Sequence, residues 1–107
     1  MMRVTRKHEL GQAEALRRLK KTVKWLTETD WPGVKIKEPG VTWQGGECTF
    51  SFKAKKALFS ARITGDASVT DDTVSIECRI PDWVLIFVPE STIRSTIVKH
   101  IGEILRD

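Results

Sequence analysis

Between Val41 and Ile80 the apolar residues alternate, and the alternation keeps one phase through three turns. With the segment drawn as strands joined by two-residue turns, Val41, Trp43, Cys48, Phe50, Phe52, Ala54, Ala57, Phe59, Ala61, Ile63, Val69, Val74, Ile76, Cys78 and Ile80 share one side. Thr49, Ser51, Lys53, Ser60, Arg62, Thr64, Thr73, Ser75, Glu77 and Arg79 face the other. Strand side chains alternate with period two, so a slip of one residue would expose the whole apolar set. The segment therefore predicts a one-sided antiparallel sheet that needs a cover.

Gly45-Gly46 is the strongest hairpin signal, because glycine supplies the positive φ that two-residue turns require. It sets Trp43 opposite Cys48. Turns at Lys55-Lys56 and Asp71-Asp72 complete the layout, setting Cys48 opposite Ile63 and Ile63 opposite Ile80. Glu38-Pro39-Gly40 predicts a further turn and Gly65 a bulge or bend. Cys48 and Cys78 then lie two strands apart, roughly 9 to 10 Å by strand spacing. A disulfide needs Cα atoms closer than about 7 Å. The expectation is two buried free thiols, which suits a reducing compartment.

The cover is visible on either side of the sheet. Val4 to His8 alternate with polar neighbours as a short first strand. Leu16, Leu19, Val23 and Leu26 then mark one face of a helix over about Gln12 to Thr29, stopped by Thr29-Asp30-Trp31-Pro32-Gly33. Val34 to Lys37 predicts a short strand. Trp83 to Val88 is an apolar run with neither a strand nor a helix period. Pro89-Glu90-Ser91 opens a last helix with Ile93, Ile97, Ile101 and Ile104 on one face. The expected fold is α+β: an antiparallel meander of four to six strands covered on one face by an N-terminal and a C-terminal helix. At 107 residues, with 40% hydrophobic and 30% charged side chains, it is a single domain over the whole chain.

The segment His8-Glu9-Leu10-Gly11, then Glu14-Ala15 and Arg18-Leu19, resembles the opening of the bacterial polyhydroxyalkanoic acid system protein family. Phe50-Ser51-Phe52, Ile63-Thr64-Gly65, Val74-Ser75-Ile76 and Ile80-Pro81, with Ile93 and Ile97, are similar to its later strands and closing helix. The likeness runs from about Val4 to Arg106 and rests on the order and spacing of short motifs. It implies a protein associated with polyhydroxyalkanoate storage granules or their biosynthetic proteins. The order of elements is also similar to a reduced helix-grip or START-like fold. The four tryptophans and the apolar run before the last helix depart from that family pattern.

Chemistry-bearing residues are few. His8, beside Glu9 at a strand-to-helix junction, is a candidate ligand contact or general base, or else a pin for the junction. His100 sits beside the Ile97-Ile101 stripe as a helix-boundary residue. Two histidines without carboxylates or thiols at ligand spacing do not make a metal site, and no motif calls for a cofactor. Arg17, Arg18, Lys20, Lys21 and Lys24 form a basic patch on the first helix, in a chain of formal charge +4. That patch suits an anionic surface or simply a solvated helix face. No RNP-like motif points to nucleic acid.

No apolar run is long enough to span a bilayer, and Met1 to Leu10 contains no signal-peptide h-region, so a cytoplasmic location is expected. Trp83, Leu85 and Phe87 are the candidate contact residues, for a granule surface or a protein partner; the other reading of the run is that it folds back across the open end of the sandwich and completes the core. The expected function is thus non-enzymatic and accessory. The alternatives are a helix-grip carrier of a small apolar ligand and a small enzyme using His8 and Glu9.

Overall fold

A computed structural model describes residues 2–31 and 33–106, with the side chain of Phe87 outside that description. The elements run β1 (Met2–Lys7), α1 (Gln12–Glu28), β2 (Lys35–Gln44), β3 (Glu47–Lys56), β4 (Phe59–Val69), β5 (Thr73–Arg79), α2 (Asp82–Phe87) and α3 (Glu90–Ile104). All strand pairs are antiparallel, in the order β1-β5-β4-β3-β2. This is the expected α+β architecture. The first strand in sequence closes the sheet against the last, so β1 and β2 are its two edges.

The apolar phase of the sequence becomes one buried face. Phe50, Phe52, Ala54, Ile63, Val74 and Ile76 are almost fully buried on it, together with Cys48, Ala67, Val69 and Cys78. Helix α1 lies across β2, β3 and β4 and buries Ala15, Leu19, Val23 and Leu26. Helix α3 lies beside it over β1, burying Ile93, Ile97 and Ile101. Each fully buried Phe or Leu contributes roughly 1.5 to 3 kcal/mol. The two rings on β3, Phe50 and Phe52, are parallel with centroids 6.4 Å apart, and Trp31 meets Phe52 edge-on at 5.6 Å.

Arg18 ties the two helices together. Its Nη1 donates to the carbonyls of Ile104 (2.9 Å) and Arg106 (3.0 Å), which satisfies the last turn of α3. Arg94 does the same between α3 and β1, donating to the Arg3 carbonyl at 2.9 Å. The N-terminus of α1 is capped from a distance. Gly11 has no side chain to offer, and Asp71 Oδ1, in the β4–β5 turn, accepts the Gln12 N–H at 3.2 Å.

Several local expectations are corrected. The β3–β4 turn is at Ala57-Leu58, not Lys55-Lys56, so Cys48 faces Ala67 and Phe52 faces Ile63. The shift is two residues, an even number, so every side chain keeps its face. Glu38-Pro39 is a bulge within β2 rather than a turn between strands. Gly65 is in regular register, facing Phe50 and Cys78. At the first hairpin Gly45 takes φ +61, whereas Gly46 is required by crowding: a Cβ there would lie 2.8 Å from the Val69 carbonyl oxygen. Trp83 to Phe87 is helical, within the six-residue α2. Pro32, expected to help stop α1, lies outside the described residues.

Candidate functional site

The residues that sequence reasoning placed first for chemistry are engaged in holding the fold. His8 is buried where β1 meets α1. Its Nδ1 accepts the Leu10 N–H at 3.2 Å, which in the neutral ring leaves the proton on Nε2 to donate to the Thr70 carbonyl, also at 3.2 Å. Both ring nitrogens are thus occupied by backbone, and the ring pins the β1–α1 junction to the β4–β5 turn. Neighbouring Glu9 is exposed.

The cysteines are free and buried. Burial pushes the Cys48 thiol up to about 11 and the Cys78 thiol up to about 12, so neither offers a thiolate near neutral pH.

The basic patch on α1 is largely internal bonding. Arg17 and Arg18 both bond Glu14, at 2.9 and 3.1 Å, and their guanidinium hydrogen bonds hold its carboxyl down at about 2. Lys20 Nζ stands 5.6 Å over the Trp43 ring, on β2 beneath the helix. Lys21 and Lys24 are exposed.

His100 is not an isolated boundary residue. Its ring stacks on Trp25 across the α1–α3 seam, with centroids 4.3 Å apart and planes 9° from parallel. Burial pushes its pKa below the usual 6.5, against an opposing pull from Glu103. Folding therefore favours the neutral ring, and below about pH 6.5 the unfolded chain binds a proton that the folded chain lacks. This contribution to stability is complete above about pH 6.5 and is lost as pH falls toward the folded pKa. Thermal melts between pH 8 and 5 should show the melting temperature of wild type falling faster than that of His100→Phe, which keeps the stack and removes the proton.

An apolar surface does stand open, at the far end of the β3–β4 hairpin. Leu58 in the turn is 99% exposed and Phe59, the first residue of β4, is 60% exposed. Phe59 has the inward phase, yet the hairpin end is left largely uncovered by the helices. What meets it is α2: the Phe59 and Trp83 rings are 5.9 Å apart, inclined at 37°. Val84 and Val88 anchor this short helix in the core. Ile86 follows Trp83 by one helical turn on the same side and is 78% exposed. The hairpin turn is strained, since Ala57 holds φ +52, a left-handed conformation that costs a non-glycine residue about 1 to 2 kcal/mol. Strain of this kind gathers at functional surfaces.

Trp83, Leu85 and Phe87, the expected contact residues, all fall on α2. Trp83 is half-buried, packed against the core and meeting the Phe59 ring. Leu85 turns inward and packs against the core near Met2 and Ile80. The side chain of Phe87 lies outside the described residues. An extended chain would have presented 83, 85 and 87 together; a helix presents 83 and 86. Ile86 escapes an extended reading for that reason, and Leu58 escapes because no turn chemistry marks the end of the β3–β4 hairpin. The phase of Phe59 alone points to the core, whereas the residue is largely exposed.

For the carrier alternative, the apolar depression between α1 and α3, lined by Trp25, Trp31, Val88 and Ile93, holds about 90 Å³. Small-molecule pockets run from about 300 to 1,000 Å³. Among the described residues no group of three His, Cys, Asp or Glu could hold a metal ion, and no helix is long and apolar enough to cross a membrane. Comparison of the chain with family models, with curated proteins and with solved structures found no match.

Proposed function

We propose that the protein is a non-enzymatic accessory protein that attaches to an apolar phase through the end of the β3–β4 hairpin and α2. The observation that carries this reading is the exposure of Leu58, Phe59 and Ile86 around Trp83, beside a strained turn at one end of the core. Large apolar side chains gathered on a surface mark a contact with a partner or an apolar phase. Burying them there supplies roughly 1.5 to 3 kcal/mol each. The engagement of His8 with backbone and the raised thiols support an attachment role over a catalytic one.

The likeness of the His8-to-Gly11 segment and the later strands to the polyhydroxyalkanoic acid system family supplies the particular phase, a storage polyester held in granules in the cytoplasm. The wild-type protein should co-sediment with washed polyhydroxybutyrate particles. Leu58→Asp/Ile86→Asp should stay in the supernatant with an unchanged melting temperature, since both residues are at the surface. A double variant that pellets like wild type would reject this surface, and a wild type that fails to pellet would reject the reading.

A further inference from the structure

We infer that the phase on which this end docks carries anionic lipid headgroups, and that they are met by the solvent face of β2, β3 and β4. The inference rests on the attachment reading above and adds a second class of contact to it.

The sheet register lines up cations behind the apolar end. Lys37 stands opposite Lys53, and Lys53 opposite Arg62; Lys35 stands opposite Lys55. Their neighbours Ile36, Ala54 and Ile63 are buried, so by alternation all five cations are on the solvent face. Directly opposed side chains have Cβ atoms about 4.5 to 5.5 Å apart, and like charges there are destabilising. The fold accepts this row although one residue's shift in β2 would remove part of it. The bulge at Glu38-Pro39 sets that phase. Val41 and Trp43 have the inward phase beyond the bulge, and without the extra residue Lys35 and Lys37 would share it. Glu38 takes φ +53 to make the bulge. Bulges re-aim side chains in this way near functional surfaces.

The same face is polarised along its length. Glu47, Asp66 and Glu77 lie toward the opposite end, where Arg79 is bonded to Asp66 at 2.8 Å. In the cationic half the acid that reaches the row is Glu38, 4.0 Å from Lys53. Lys55 and Lys53 are two and four residues behind Ala57, about 7 and 13 Å at the strand rise. Apolar groups of interfacial proteins sink about 5 to 10 Å, so Leu58 and Phe59 can enter the acyl boundary while Lys35 and Lys55 reach the headgroups. A bare polyester offers nothing for these charges. Nucleic acid is served less well, because bases need aromatic platforms beside the cations, and Phe50, Phe52 and Phe59 all have the inward phase, away from that face.

Flotation with vesicles tests this. Wild type should partition to phosphatidylcholine vesicles containing phosphatidylglycerol at least about tenfold better than to phosphatidylcholine alone, with the gain lost in high salt. Lys53→Glu/Arg62→Glu should lose that gain, as should the neutral pair Lys35→Gln/Lys55→Gln, while both still pellet with lipid-free polyhydroxybutyrate. Leu58→Asp should lose binding to vesicles of either composition. Equal binding to the two vesicle types, or cation variants that bind like wild type, would overturn the inference and leave the attachment reading standing. Single-stranded RNA that outcompetes the anionic vesicles would overturn it in favour of a nucleic-acid face. Failure to bind vesicles and polymer alike would remove the inference and the reading together.

Discussion

Gly65→Ala should lower the melting temperature by about 15 °C, from a loss of about 3 kcal/mol. Gly65 is in the middle of β4, which is hydrogen-bonded on both sides, to β3 and β5. A Cβ at this position would stand 2.5 Å from the Glu77 carbonyl oxygen and would overlap the end of the Phe50 ring. The ring can swing away at a cost in packing, but the carbonyl belongs to a neighbouring backbone and cannot. The bulge expected from the sequence is absent because this glycine makes room for a ring rather than a bend. In the Phe50→Leu background the same substitution should cost less, since one of the two obstacles has gone; a double-mutant cycle by thermal melts would read the coupling. Gly65→Ala melting like wild type would mean that Phe50 does not lie across β4.

His8→Ala should destabilise the protein by about 1 to 3 kcal/mol and leave attachment to polymer or vesicles unchanged. The substitution strands the Thr70 carbonyl and the Leu10 N–H in a partly buried corner. Asp71→Ala, which uncaps α1 in the same corner, should cost about 1 kcal/mol. A His8→Ala protein of normal stability that no longer attached would transfer the residue from the scaffold to the working surface. Urea titration and co-sedimentation on the same samples separate the two outcomes.

The face of each strand was legible in the sequence because period-two alternation survives an error of two residues. That same error concealed the cationic row. With the turn at Lys55-Lys56, Lys53 would have faced Leu58, and Arg62 would have faced Thr49. Nothing between Lys53 and Phe59 has turn chemistry, so the sequence offers no address for the hairpin end; the structure places it at Ala57-Leu58 by straining Ala57. Six residues from Asp82 to Phe87 are too few to display a helical period, and so Ile86 was passed over for Leu85. The cap on α1 comes from Asp71, 59 positions beyond Gln12, and no local pattern announces it. The bonds of His8 to Thr70 were out of reach for the same reason.

The pairing of β1 with β5 also constrains the order of assembly. Met2 must wait for Cys78, and Lys7 for Thr73, so nascent chain leaving the ribosome holds β1 without a partner until β5 has been made. Over that interval the β2–β5 hairpins can form, since each closes only a short loop, but the greasy side of the ribbon stays wet until α3 has emerged to finish the roof. Chains released before Ile97 should therefore be substrates for chaperones or proteases rather than smaller working versions of the protein.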